Sequence, residues 1–523
     1  MVTRLVSGAL WGVEGYQVSV EVDVSRGLPA FDIVGLAGPP VREARERVRA
    51  GIKNAGYDFP LARITINLAP ADLPKRGTGF DLAIALGILH QTGQIPGGRW
   101  QNLALLAELS LDGTLRPIRG LVPILHHLGR RGVPGVVMGM DEAGSAHLLP
   151  DLEIITLPNL EAVCRWIRQG CSPMPRPEPR PPQPDCNSPP DQSTDYQDLA
   201  HVEGHRHARR ALEIAAAGGH NLLLIGPPGT GKSTLAQALP GILPSPTKEE
   251  ALEIVTVYSA AGQEPPMTAG GSIRRPYRAP HHTMPPTAMV GGGAIPEPGE
   301  VSLAHRGVLF LDELAQFQRS TLEALREPLA EGWVTVARLQ GSCRLPAVVS
   351  LVAAMNPCPC GHRGDADFPC RCTDLAVRRY WATLSGPMLD RLDIHVPLAR
   401  PAWTDVFSQA PAESSAQVRS RVEEARQIQR HRLQRYGLQC NAEMGRQQLE
   451  RYCRPDGEGR LLLQEAYRKK GLTMRGYYGA LKVARTIADL EGCQEVTADH
   501  IAQALDLRRL DQIQGYYHLN ERR

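Results

Sequence analysis

The sequence holds no apolar run approaching the roughly 18 residues a membrane span requires, and its opening residues Met1-Val-Thr-Arg-Leu5 lack the apolar core of a signal peptide. A soluble, cytoplasmic protein with no membrane partner is the expectation. Charge of one sign is not in excess either: 58 Lys and Arg against 55 Asp and Glu leave +3 over 523 residues. That balance neither demands nor excludes nucleic acid, because a local basic groove binds phosphate without moving the total much. Eleven cysteines, spread unevenly, do not make a secreted disulfide framework. There is no internal repeat, and no zinc-finger or homeodomain pattern marks a base-reading element. The length exceeds one ordinary core, so about two to four domains are expected.

The clearest boundary is a proline-rich stretch, 172–184 continuing through 187–190, with too little apolar surface to fold. It divides the chain into an α/β unit over 1–170, a linker over 171–197, a nucleotide-binding core over 198–400 and a helical region over 401–523. In the first unit, residues 17–24 alternate as a strand does, while 41–50 and 81–89 carry helical spacing. In the last, Val418, Val422, Ala425 and Ile428 fall on one helix face, and Leu481, Ala484, Ile487 and Ala488 mark another helix. Arg419, Arg421, Arg426 and Arg430 lie largely off the first face, which reads as a solvated surface or as DNA contact.

The chemistry concentrates in Gly226, Pro227, Pro228, Gly229, Thr230, Gly231, Lys232 and Ser233, which match every specified position of the G-x-x-x-x-G-K-[ST] phosphate loop. Residues 221–225 before it read as a short buried strand, and Thr234 onward has helical spacing, so backbone N–H groups and a helix N-terminus face a triphosphate. Lys232 is placed to neutralise the outer phosphates of ATP and the Ser233 hydroxyl to hold Mg²⁺. Downstream, an apolar run over 308–311 ends in Asp312 and Glu313, as a buried parallel strand delivers acids to its carboxyl edge. Asp312 suits ordering Mg²⁺, and Glu313 suits polarising the attacking water.

Lys232 and Asp312 stand 80 positions apart, far beyond the ~30 residues of a bare crossover, so something is inserted. The Gly- and Pro-rich span 262–299, with Arg278-Ala-Pro-His-His-Thr283, reads as a structured loop over the catalytic face. Residues 332–344 read as a β-hairpin with basic arms, Arg338 and Arg344 among them. The strand over 348–355 ends in Asn356, which either holds the hydrolytic water or makes an Asn-Pro turn. Immediately after it, Cys358, Cys360, Cys370 and Cys372 gather four thiols within fifteen positions. Four cysteines are a normal zinc shell, although the one-residue gaps are short, His362 is an alternative ligand, and metal-free reduced thiols are the other reading.

These blocks resemble the ComM/YifB family of magnesium-chelatase-like AAA+ ATPases from end to end. The resemblance rests on Asn67-Leu-Ala-Pro-Ala-Asp-Leu-Pro74 with Gly79-Phe-Asp-Leu82, on Ser302 through Glu313, on Asn356-Pro-Cys-Pro-Cys-Gly361, on Gly386-Pro-Met-Leu-Asp-Arg391 and on Ala484 through Leu490. It implies a ring, usually hexameric, with ATP at subunit interfaces, and a DNA motor acting in branch migration or as a helicase during homologous recombination and natural transformation. DNA, branched or single-stranded and bound without regard to sequence, is the implied partner; a chelatase-type motor that remodels a protein is the alternative. The resemblance assigns Asn356 as sensor 1, Arg391 as the finger reaching a neighbour's γ-phosphate and Arg475 as sensor 2 of a helical C-terminal lid. It places the hairpin at the central pore. The N-terminal unit resembles the proteolytic domain of Lon, but Thr78 or Gly79 stands at the nucleophile and Val122 at the base, and valine accepts no proton. The implied fold is therefore a Lon-protease-like N-terminal α/β domain without its dyad, a P-loop AAA+ parallel-sheet core and a helical lid.

Overall fold

A computed structural model describes residues 2–508 apart from 76, 141–151, 173–195, 203, 269–270, 294–295, 339–340, 366, 401–412 and 470–471. The proline-rich spacer therefore lies almost wholly outside the described residues. Before it, strands β1 (Thr3–Trp11), β2 (Glu14–Ser25), β3 (Ala30–Val34), β4 (Arg63–Ala69), β5 (Ala104–Leu106), β6 (Gly135–Met138) and β7 (Glu153–Thr156) form one mixed sheet in the order β3-β4-β2-β1-β5-β6-β7. In β2, Val18, Val20 and Val22 are fully buried, the alternation expected of a strand with one covered face. Helix α2 (Asp81–Gln91) covers that face and is buried from Asp81 to Leu89. The helical spacing at 41–50 resolves into two pieces, a turn at Pro39–Arg42 and α1 (Ala44–Asn54), separated at Glu43.

The second unit is built on a five-stranded sheet, entirely parallel, in the order β9-β10-β13-β8-β14: β8 (Leu222–Ile225), β9 (Tyr277–Arg278), β10 (Val308–Leu311), β13 (Ser350–Met355) and β14 (Ile394–Pro397). The strands β8, β10 and β13 read as apolar runs because helices cover both faces, leaving no side for polar residues. Around this sheet lie α4 (Arg206–Gly218), α5 (Lys232–Ile242) and α6 (Lys248–Ala261), the last opened by a Thr247–Glu250 capping box. Strands β11 (Trp333–Arg338) and β12 (Gly341–Pro346) make the expected hairpin, paired antiparallel with Trp333 opposite Pro346.

The C-terminal helices α7 (Ser415–Leu433), α8 (Met474–Leu490) and α9 (Ala498–Asp506) share a core with α4 and α5. Here the sequence reading needs two corrections. Ile428 is 43% exposed; the buried stripe of α7 runs Val418, Val422, Ala425, Gln429, Leu433. Gln429 earns that position through hydrogen bonds, its amide donating to the Ala217 carbonyl and accepting from the Asn441 N–H. Three of the four arginines turn to partners within the chain: Arg419 donates to the Gly241 carbonyl, Arg421 pairs with Glu213 and Glu413, and Arg426 donates to the Ala216 carbonyl. They satisfy carbonyls at the ends of α4 and α5 and a buried acid. Arg430 lines a shallow pocket beside Glu423 and Pro244. Among the described residues no helix is long and apolar enough to cross a membrane.

Candidate active site

The parallel register places three chain exits side by side on the carboxyl edge of the second sheet. Ile225 pairs with Met355, and Leu311 with Ala353, so Gly226, Asn356 and Asp312 emerge together with Asn356 in the middle. Gly229 and Gly231 have φ of 78° and 76°, left-handed values that favour glycine, and they turn the loop into the N-terminus of α5. A side chain at Gly226 meets the Leu398 carbonyl 2.5 Å away, so glycine is required there for close packing. The loop thus presents backbone N–H groups at a helix start, the arrangement that holds phosphate.

Lys232 Nζ donates to the Gly226 and Pro227 carbonyls (2.8 and 2.7 Å) and lies 3.2 Å from Asn356 Oδ1. Burial lowers its pKa while Asp312 and Glu313 oppose that shift, so the ammonium is half-desolvated within a field of carboxylates. Ser233 Oγ donates to Asp312 Oδ2 at 2.9 Å, which joins the two groups suited to Mg²⁺. Asp312 Oδ1 accepts the N–H of Glu313, whose backbone is left-handed at φ 52°, and the Glu313 carboxylate points outward at 48% exposure. Residues 226–233, Asp312, Glu313 and Asn356 therefore form one constellation whose donors and acids fit a magnesium–triphosphate group.

Arg391 and Arg475 are elsewhere. Both line a cavity of about 710 Å³ at the amino edge of the same sheet, walled by Asn221, Gly307 and Ser350, and none of its walls comes from 226–233. Arg391 donates to the Arg326 and Pro387 carbonyls at 3.1 and 2.7 Å, and burial followed by the charges of Arg475 and Arg326 lowers its pKa. Within one chain the two arginines are brought to each other and kept from Lys232.

The four cysteines converge. Sγ of Cys358 lies 3.4 Å from Cys360 and 3.6 Å from Cys370, Cys360 lies 3.6 Å from Cys370, and all four sulfurs lie within 4.8 Å of one another. A tetrahedral zinc with bonds of about 2.3 Å sets its sulfurs about 3.8 Å apart, so the set fits that ion. His362 is not among the ligand atoms gathered there, and its Nδ1 faces Asp365 at 3.0 Å. Backbone N–H groups of His362 and Arg371 hold the Cys360 thiol down to about 6, whereas burial pushes Cys358 up to about 12. The knot abuts the phosphate loop: a Cβ at Gly361 meets Pro228 at 2.7 Å.

Family models for magnesium chelatase subunit ChlI match residues 198–406, for subunit ChlI of Mg-chelatase 20–142, and for the ChlI C-terminal region 412–508. Protein YifB of Escherichia coli is 41% identical over 510 residues, 97% of this chain and 96% of its own length. Competence protein ComM of Haemophilus influenzae is 41% identical over 506 residues, 96% and 97% of the two chains. The chain belongs to the ComM/YifB family. The magnesium-chelatase subunit ChlI of Synechocystis is 30% identical over 156 residues, 26% of this chain and 44% of its own length. The parallel-sheet core is thus that of a magnesium-chelatase-like AAA+ protein.

Two features of this family member were not legible in its motifs. His282, within the loop expected over the catalytic face, places Nδ1 3.8 Å from Glu313 Oε2; only the pairing of β9 with β10 brings it there. The hairpin does not stand alone: Val334, Val336, Cys343 and Leu345 are buried together with Val13, and a Cβ at Gly12 meets Cys343 Sγ at 3.0 Å. Its other face carries exposed Arg344, stacked 4.9 Å over Trp333, whereas Arg338, also exposed, lies in line with Val334 and Val336 at the end of the strand and donates to the Gly293 carbonyl at 2.7 Å. Nearby, helix α3 (Leu121–Arg130) of the first unit docks on α6, with the Gly120 and Val122 N–H groups donating to Ser259 and Arg119 donating to the Ala260 carbonyl. The Val122 N–H therefore lies at the contact with the core unit, and the Thr78 hydroxyl donates to Glu108.

Proposed function

We propose that the chain is one subunit of a ring-shaped, hexameric ATPase that moves on DNA, acting in branch migration or as a helicase in homologous recombination and natural transformation. The observation that carries the ring is the division of the site between opposite sheet edges. A head-to-tail ring sets the amino edge of one subunit against the phosphate loop of the next, so Arg391 and Arg475 complete a neighbour's site. Arg391 and Arg475 line one half-buried cavity, where the charges of Arg475 and Arg326 bear on Arg391, and a neighbour's triphosphate offsets that repulsion.

ATP with Mg²⁺ supplies the phosphoryl group. Lys232 and the N–H groups of the loop bind its phosphates, Ser233 and Asp312 hold the metal, Asn356 orients the water and Glu313 takes its proton. The exposed arginines of the hairpin suit a phosphate backbone without base reading. The name of the ComM relative, and its match over nearly the whole chain where the Synechocystis ChlI protein matches a quarter, favour the DNA reading over a chelatase-type motor. The N-terminal unit serves as a Lon-like binding or assembly module rather than a peptidase, since Thr78 or Gly79 stands at the nucleophile position and Val122 at the base.

The test is ATP turnover with no DNA, single-stranded, duplex and four-way-junction DNA. Branched or single-stranded DNA is expected to stimulate it regardless of sequence and less at higher salt. Stimulation by a protein partner alone overturns the DNA reading.

The cysteine knot is proposed to hold structural zinc, which ties the loop after Asn356 to Pro228. Metal analysis of protein purified without chelators is expected to find about one zinc per chain, lost when Cys370 and Cys372 are both changed to serine. A zinc-free protein with an unchanged melting temperature removes the site.

A further inference from the structure

Strand β9 is the edge strand parallel to β10, with Tyr277 beside Val308 and Arg278 beside Leu309, so the chain leaving β9 emerges on the same edge as Asp312 and Glu313. The loop that follows is tied at both ends. Arg278 makes a two-pronged pair with Glu300, 2.7 Å on each arm, and the Met284 carbonyl accepts from Thr321 Oγ1 at 3.1 Å. Between these anchors the His282 ring is held by its neighbours. Its centroid lies 4.1 Å from that of His281, and it meets Phe317 edge-on at 6.4 Å and 78°. His281 is itself fixed by Thr283, 2.9 Å from its Nδ1. A short anchored loop with a clamped ring is a precise way to present one nitrogen.

That nitrogen, Nδ1, lies 3.8 Å from Oε2 of Glu313. The gap is too long for a hydrogen bond and is closed by a small rotation of the carboxylate; contacts of this kind tighten as substrate completes a site. Among the described residues no other basic side chain lies within ion-pair range of the Glu313 carboxylate. A general base on an outward-pointing, freely rotating side chain spends little of its time aligned with the water, and a donor on one oxygen leaves the other free for the proton.

We propose that His282 is a positioning residue for Glu313, donating from Nδ1 to Oε2 so that Oε1 faces the attacking water. The proposal rests on the reading of Glu313 as the base. It separates the ring's packing role from the nitrogen's role, and three substitutions test that separation. His282→Ala removes both, His282→Phe keeps the ring against His281 and Phe317, and His282→Asn keeps a donor near the place of Nδ1.

The experiment is steady-state ATP hydrolysis by the full chain, with Lys232→Ala alongside and binding of a fluorescent ATP analogue measured for each protein. His282→Ala and His282→Phe are expected to lower kcat about tenfold or more, with KM and analogue affinity changed less than about twofold, and His282→Asn to recover a large part of kcat. Retained analogue binding shows that each variant is folded. Wild-type kcat in all three, recovery by phenylalanine and not asparagine, or a loss confined to KM overturns the role of His282 while leaving the ATPase reading intact. Wild-type hydrolysis no greater than that of Lys232→Ala overturns the ATPase reading, and this one with it.

Discussion

Changing Arg391 to alanine is expected to cut ATP turnover by ~10³ or more while leaving nucleotide binding largely intact, because a finger stabilises charge that develops on the transferring phosphoryl group. Its guanidinium sits at the amino edge of the sheet beside Arg475, away from the Lys232 loop of its own chain. The loss is therefore expected to be repairable in trans. Arg391→Ala chains mixed with Lys232→Ala chains regain part of the activity, since an intact Lys232 loop meets an intact Arg391 at some interfaces. Turnover assays on mixed rings check this: rings that assemble yet remain as inactive as either parent assign Arg391 a role within its own chain.

Lys232→Ala and Glu313→Gln are expected to abolish hydrolysis by different routes. Lys232 touches two loop carbonyls and Asn356, and its loss removes the cation from the phosphate cradle, so ATP no longer binds productively. Glu313→Gln leaves that cradle and the Ser233–Asp312 contact in place and removes the proton acceptor, so ATP is held and split at least ~10²-fold more slowly. Equilibrium binding and single-turnover hydrolysis separate the two, and ATP-dependent assembly follows binding. Rings that form equally well from both proteins contradict this division of labour.

The chemistry was legible because it is local. A phosphate loop needs its glycines, lysine and serine within eight consecutive residues, and a buried strand ending in two acids declares itself by its apolar run, so residues 226–233 and 308–313 could be read without a fold. The hairpin and the helix at 81–89 were legible for the same reason: period and turn residues act over a few positions. The reading of α7 failed at Ile428 and at the arginines because a helical repeat fixes which residues share a face, and tertiary contacts decide what each residue on it does. Gln429 is buried because two backbone groups need it, and Arg419, Arg421 and Arg426 turn inward to carbonyls and to Glu213.

By itself, then, the sequence determined the family, and it offered the phosphate-loop pattern and the acid pair from which a nucleotide site is expected. Only the tertiary structure decided how distant pieces meet. The parallel order β9-β10-β13-β8-β14 puts Asn356 between the loop and the acids and brings His282 to Glu313 across 31 positions of chain. It also sends Arg391 and Arg475 to the opposite edge, closes four cysteines into one knot against Pro228, and seats the hairpin on the turn at Gly12. The reason is physical: motifs encode what a few neighbouring residues do to a ligand, whereas strand order, register and burial arise from the free energy of the whole core, to which every segment contributes and which no single segment spells out.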